Sequence, residues 1–215
     1  MDIDYPDVIK FALPEAVNWS NFYATKVPGL LKTMHVPDAV IDKIFQNALL
    51  YESRLTGDII FRSESRLYGE VLNPDFTTTI LPNSSLRAFW CIKNVAKNEH
   101  TERAIICTSA VEALCLCSLH HHLAQRCKES NNISNIDAYV LPTIYISVGN
   151  EFAKERIEII RRSYGMRPLF IATPNTDDGN SILEKCKGFL YTHEMRPEHV
   201  TWKEELELYI KEKEN

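Results

Sequence analysis

The feature that most limits the fold of this chain is an alternation of strand-like and helix-like stretches that begins at residue 103. Residues 103–107 are rich in β-branched side chains, as in a buried strand, and residues 110–126 are apolar nearly all round, as in a helix packed on both sides. Further strands are predicted over 139–148, 168–172 and 188–191, with helices over 151–163, 180–187 and 202–213. This spacing predicts an α/β fold with a mainly parallel sheet flanked by helices.

The first hundred residues have a different pattern. The stretch 37–49 opens with Pro37 and Asp38, which suit the first turn of a helix, and then places its apolar residues on one helical face. Short β-like runs follow over 49–53, 58–62, 67–72 and 86–93, separated by a polar loop over 73–85. We therefore predict a smaller α+β region over 1–100 and an α/β domain over 101–215, and we assign no role to the first 35 residues.

Charge and composition narrow the functional classes. The 215 residues contain 24 Lys and Arg against 29 Asp and Glu, a net charge of −5 that is spread evenly along the chain. Binding to nucleic acid over a whole basic face is therefore not expected, although a local basic strip is compatible with this balance. No stretch approaches the ~18 apolar residues of a membrane span, and the acidic start does not resemble a secretory signal. We expect a cytoplasmic protein without membrane contact, whose six cysteines are free thiols.

The carboxyl edge of the predicted sheet, where parallel sheets bind ligands, is formed by residues 108–109, 149–150 and 173–179. The run AIICTSAVEALCLCSL at this edge resembles the first motif of Toprim domains, the metal-binding module of topoisomerases and primases. The resemblance is greatest to the version with a DUF3991-type N-terminal region in proteins of plasmids and mobile elements. LLYESRLTGDIIFRSESRLYGEVL, NSSLRAFW and TWKEEL are similar to other segments of that family, in the expected order. The resemblance implies a Toprim-like domain over 101–215 and a DUF3991-like region over 1–100.

The same resemblance implies that the catalytic motifs are degenerate. The family's first-strand Glu falls on Thr108, whereas Glu112 matches the acidic residue of the first helix. The family's Asp-x-Asp motif falls on LFIATPNTDDGN, where Thr173 stands directly after the strand and Asp177 and Asp178 come later. A neutral hydroxyl cannot replace a carboxylate as an acid/base group or as a strong Mg²⁺ ligand.

Two interpretations of the remaining acids stay open. Asp177 and Asp178 precede a predicted helix, so they are either turn and cap residues or part of a residual metal site with Glu112. We expect no cofactor, with Mg²⁺ as the candidate if such a shifted site is active.

Basic residues form two candidate groups for binding nucleic acid. Arg87, Lys93 and Lys97 are interleaved with Phe89 and Trp90, and Arg161 and Arg162 lie on the predicted helix 151–163. Basic and aromatic side chains together suit single-stranded nucleic acid. The alternative is a solvated helix face beside core aromatic residues.

These observations support three hypotheses. The first is a degenerate, non-catalytic Toprim-like protein that acts in DNA replication, mobilisation or another DNA-handling system by binding single-stranded or plasmid DNA or a replication or mobilisation protein. The second is an active Mg²⁺-dependent nucleotidyl transferase or nuclease that uses Glu112, Asp177 and Asp178. The third is a protein–protein adaptor with no nucleic-acid role.

Overall fold

The computed structural model describes residues 11–94, 100–130, 139, 141–149, 154–164, 168–188 and 192–214. The first part of the chain forms a four-stranded antiparallel sheet whose strands pair in sequential order. Its elements are a 3-10 helix at Trp19–Ala24, α1 (Lys26–Thr33), α2 (Asp38–Gln46), β1 (Leu50–Glu52), β2 (Ile59–Arg62), β3 (Gly69–Leu72) and β4 (Thr78–Ile80). The predicted apolar face of α2 is confirmed, because Val40, Ile41 and Ile44 are buried.

The second sheet has five strands in the order β5-β7-β6-β8-β9. They are β5 (Trp90–Asn94), β6 (Arg103–Cys107), β7 (Thr143–Ser147), β8 (Leu169–Ala172) and β9 (Thr192–Met195). The last four strands are mutually parallel, and β5 pairs with β7 in the antiparallel direction. The predicted α/β fold with a mainly parallel sheet is therefore confirmed.

Helices cover both faces of this second sheet. They are α3 (Ala110–Glu129), α4 (Lys154–Tyr164), α5 (Asp177–Cys186) and α6 (Trp202–Glu214). Alternate residues of β6 belong to two different cores: Ile105 packs with α3, α6 and the first sheet, whereas Ile106 packs with α4 and α5. The first half of α3 is buried nearly all round because it lies in the larger of these cores, which explains its lack of a polar face.

Three sequence predictions need correction. The predicted loop 73–85 contains strand β4, because the turn at 73–77 reverses the chain and lets Thr78–Ile80 pair with β3. The predicted helix 180–187 begins earlier, at Asp177, because Thr176 caps it. The last strand is Thr192–Met195, whereas most of the predicted strand 188–191 lies outside the described residues.

The predicted strand 86–93 is present, but it does not belong to the first sheet. Trp90–Asn94 forms an edge of the second sheet by pairing with β7. The first hundred residues therefore contribute a strand to the sheet of the second region, and one hydrophobic core contains residues from both. The division at residue 100 remains a prediction.

Two further observations concern membrane-spanning helices and the cysteines. No helix in the described part of the chain is both long and apolar enough to span a bilayer. All six cysteines are free, as predicted, and burial raises the pKa of the Cys117 thiol to about 12.

Candidate functional site

The carboxyl ends of β6, β7 and β8 lie side by side and carry hydroxyl groups. Thr108 follows β6, Ser147 ends β7 and Thr173 follows β8, and all three are buried. The Thr173 hydroxyl has no hydrogen-bond partner among the described residues. This edge is where parallel α/β sheets bind ligands, so the chemistry of these side chains limits what the protein can do there.

A carboxylate reaches the same edge from the first sheet. The Glu70 side chain, on β3, is fully buried and accepts four hydrogen bonds. One oxygen accepts from the Tyr68 hydroxyl (2.7 Å) and from Ser147, and the other accepts from Thr78 and from the Ala110 backbone N–H (2.9 Å). Glu70 therefore lies at the N-terminus of α3, where the helix dipole favours a negative charge.

A buried arginine completes this network. Arg156 of α4 lies with its guanidinium 5.4 Å from the centre of the Tyr68 ring and donates to the Val148 carbonyl oxygen at 2.6 Å. Burial, followed by the Glu70 charge, raises the pKa of the Tyr68 hydroxyl far above its usual range, so Tyr68 is a donor at every physiological pH. Gly149 adopts a left-handed φ of 61° here, and a Cβ would lie only 2.4 Å from Ile80 Cδ1. Both the φ and the close approach of Ile80 favour glycine at this point.

Glu112 has a capping role within the fold. Its carboxylate is buried and accepts a 2.9 Å hydrogen bond from the backbone N–H of Trp202, the first residue of α6. Burial raises the Glu112 pKa to about 7, although the backbone N–H groups of Trp202 and Lys203 act in the opposite direction. The side chain thus joins the N-termini of α3 and α6.

Asp177 and Asp178 occupy the exposed first turn of α5, after the Thr176 cap, whose hydroxyl accepts from the Gly179 N–H at 3.1 Å. This position is typical of acidic residues that interact with a helix dipole. The preceding loop is held by Arg196, which donates to Asn175 at 3.3 Å and also bonds Pro174, Asn180 and Glu194.

Two solved structures are similar to this chain. The crystal structure of the primase fragment of the bacteriophage T7 primase-helicase protein matches with a TM-score of 0.59 at 12% identity, covering 98% of this chain and 80% of that one. The fold is Toprim-like. The second is a structure of the bacteriophage T7 lagging-strand DNA polymerase, which interacts there with primase domains of two gp4 subunits bound to an RNA/DNA hybrid and dTTP. It matches with a TM-score of 0.51 at 11% identity, over 83% of this chain and 87% of that one. No family model and no curated protein matches the chain.

The residues that the sequence resemblance predicts at metal positions do not fit a Mg²⁺ site. Thr108 and Thr173 supply neutral hydroxyls, Glu112 is bonded to the start of α6, and Glu70 already accepts from four donors. Within the described residues, no three acidic, histidine or cysteine side chains group closely enough to hold a metal ion. A divalent cation needs several hard oxygen ligands that converge on one point. The absence of Mg²⁺ binding stays a prediction.

The structure brings the two basic groups near each other. Arg156 Nε of α4 donates to the Leu86 carbonyl oxygen at 3.2 Å, and the rings of Phe89 and Tyr164 lie 6.3 Å apart. Helix α4, with Arg161 and Arg162, therefore lies beside the segment 86–94.

The predicted nucleic-acid residues differ in their surroundings. Arg87 and Arg162 are exposed, whereas Lys93 pairs with Glu64 at 3.5 Å and Arg161 pairs with Glu158 at 3.0 Å. Lys97 lies outside the described residues. We call Arg87, Lys93, Arg161 and Arg162 the basic surface.

Of the two aromatic residues predicted beside these cations, Trp90 is not free to stack on bases. Trp90 is completely buried, packs edge-on against Phe61 and donates its indole N–H to the Leu49 carbonyl oxygen at 3.0 Å. Phe89 packs against the core from a partly buried position. The interpretation as core aromatic residues is therefore right for Trp90.

Sequence reasoning did not identify Glu70. A signal was present, because a single carboxylate interrupts the apolar alternation of the predicted strand 67–72. A charged residue in a predicted strand is normally solvent-exposed, and only the contact between the two sheets reveals that this one is buried.

Proposed function

We propose that the chain is a non-catalytic Toprim-like protein of a DNA-handling system, such as plasmid replication or mobilisation, and that it binds nucleic acid. The chemistry of the sheet edge carries this proposal. Thr108, Ser147 and Thr173 place hydroxyl groups at the strand ends, and the Glu70 carboxylate that reaches the edge is used by four internal donors. Metal-assisted phosphoryl transfer needs carboxylates that are free to hold the ion.

The basic surface supports the nucleic-acid part of the proposal. Arg87 and Arg162 are exposed on neighbouring elements, α4 and the segment 86–94, and their guanidinium groups are well suited to phosphate oxygens. The overall charge of −5 limits this contact to a few phosphates. Binding should therefore be weak and should fall steeply with salt.

For the metal site, we expect no saturable Mg²⁺ binding at millimolar concentration by titration calorimetry, and no Mg²⁺-dependent nicking or primer synthesis. Thr108→Glu alone should restore at most weak binding, because Thr173 would still lack a carboxylate. The active-site hypothesis would instead be supported by Mg²⁺-dependent activity of the wild-type chain that disappears in Asp177→Ala. In that case Glu184→Ala, which removes an exposed carboxylate from the same helix, should leave the activity intact.

For nucleic acid, we expect the double variant Arg161→Glu, Arg162→Glu to lower the affinity for single-stranded oligothymidylate about tenfold or more in fluorescence anisotropy. Both side chains lie at the end of α4, and neither belongs to the hydrophobic core. The matched control is Lys32→Glu, Lys187→Glu, which reverses two exposed charges on α1 and at the end of α5. Equal affinity of the two double variants would exclude α4 as the binding surface.

A further inference from the structure

Two exposed leucines lie on neighbouring backbone segments, the β2–β3 turn and the segment that leads into β5. Leu67 is 51% exposed and Leu86 is 60% exposed, among the few large apolar side chains that the described residues leave in solvent. The Ser85 backbone N–H donates to the Leu67 carbonyl oxygen at 2.7 Å, which holds the two segments together. We call Leu67 and Leu86 the leucine pair.

Two neighbouring arginines, Arg62 and Arg66, precede Leu67 in the chain. Arg66 precedes Leu67 and is exposed, and Arg62 ends the adjoining strand with a buried Nε that has no partner among the described residues. Burial, followed by the nearby Arg66 charge, lowers the pKa of the Arg62 guanidinium, as expected for two neighbouring cations. Glu64, the carboxylate of this turn, is already paired with Lys93 at 3.5 Å.

Arg66 holds its position at a conformational cost. Its φ of 59° lies in the left-handed region, which favours glycine. The turn is well bonded, since the Arg66 N–H donates to the Ser63 carbonyl oxygen at 3.0 Å and the Tyr68 N–H donates to the Ser63 hydroxyl at 3.1 Å. Glycine would suit this backbone better, so the fold does not require an arginine side chain at this position.

We propose that the leucine pair, with Arg62 and Arg66, is a docking site for an acidic peptide segment of a protein partner that inserts apolar side chains between acidic residues. The guanidinium groups pair with carboxylates, and the leucines provide an apolar contact. Leucine has no aromatic face on which bases stack, which favours a peptide over single-stranded nucleic acid. The site goes beyond the proposed function and does not depend on it, because none of its four residues belongs to the basic surface, although Leu86 directly precedes Arg87.

The test uses the full chain and three fluorescent peptides of equal length. The first peptide alternates Asp and Glu with Leu and Phe, the second replaces Leu and Phe with Ser, and the third replaces the acids with Lys. We expect only the first to bind. Arg66→Gly, and separately Leu67→Ser with Leu86→Ser, should each weaken its binding about fivefold or more. Arg66→Gly relieves the left-handed strain and both leucines are exposed, so these variants should fold.

Matched controls remove equivalent side chains from other surfaces. Leu55→Ser changes another exposed leucine, and Lys187→Gln removes another exposed charge, so both should bind the first peptide as the wild type does. Equal binding of the lysine peptide, absence of binding at millimolar peptide, or loss of affinity in the controls would overturn the proposal. Self-association that Leu67→Ser with Leu86→Ser abolishes would assign the surface to a second copy instead. Tighter peptide binding after deletion of residues 1–10 would assign it to that acidic segment of the chain.

The nucleic-acid proposal is tested independently by the same variants. Arg66→Gly and the leucine double variant should bind oligothymidylate as the wild type does, whereas Arg161→Glu with Arg162→Glu should leave peptide binding unchanged. If the leucine double variant loses oligothymidylate binding and peptide binding together, the surface belongs to nucleic acid and the peptide proposal fails.

Discussion

Replacement of Glu70 by alanine should lower the free energy of unfolding by about 3–5 kcal/mol, one of the two largest effects that we expect in this protein. The alanine variant would leave the Ala110 N–H and the hydroxyls of Tyr68 and Ser147 without their buried acceptor. Because β3 belongs to the first sheet and these partners include residues of α3 and β7, the loss should loosen the contact between the two sheets. Urea denaturation followed by circular dichroism measures the change.

Two further variants distinguish the buried network from a general effect of charge. Glu70→Gln keeps one acceptor oxygen and the side-chain volume, so its cost should be smaller, about 1–2 kcal/mol. Glu64→Ala removes an exposed carboxylate whose pair with Lys93 is 3.5 Å long, and it should change stability by less than about 1 kcal/mol. If Glu70→Ala is as stable as Glu64→Ala, the four hydrogen bonds do not hold the sheets together.

The second large effect is a pH dependence that Glu112→Gln should remove. Burial raises the Glu112 pKa from 4.5 to about 7 in the folded chain, so the folded state binds a proton more tightly than the unfolded state. The contribution of Glu112 to stability is therefore fully present below about pH 4.5 and is lost as the pH rises through about 7. The glutamine oxygen can still accept from the Trp202 N–H, without a charge to bury.

The expected difference in the free energy of unfolding between the wild type and Glu112→Gln follows from the size of the Glu112 pKa shift. Glu112→Gln should equal the wild type near pH 4 and should be more stable by about 3 kcal/mol near pH 8, at about 1.4 kcal/mol per pKa unit. Urea denaturation of both proteins at several pH values between these limits gives the difference, in which other titrating groups cancel. Glu184→Gln, which neutralises an exposed carboxylate on α5, serves as the control. A difference that stays constant with pH would contradict a raised Glu112 pKa.

The sequence and the structure lead to different interpretations of Glu112. From the sequence it matches an acidic position of the Toprim motif and is a candidate metal ligand. In the structure its carboxylate caps α6, which lies ninety positions further along the chain. Residue type is visible in the sequence, but the donor that satisfies a carboxylate comes from tertiary packing.

Local periodicity by itself determined strands β6 and β8, helix α3 and the buried face of α2, because each depends on side chains a few positions apart. The sequence alone also shows that positions 108 and 173 carry no carboxylate, since residue identity does not depend on the fold.

Only the tertiary structure decided that Trp90–Asn94 joins the second sheet, that Thr78–Ile80 forms a strand and that Glu70 lies at the start of α3. Each of these outcomes depends on which distant backbone and side-chain groups satisfy one another's hydrogen bonds. Long-range strand pairing and burial determine which groups these are, and a pattern of nearby residues does not contain that information.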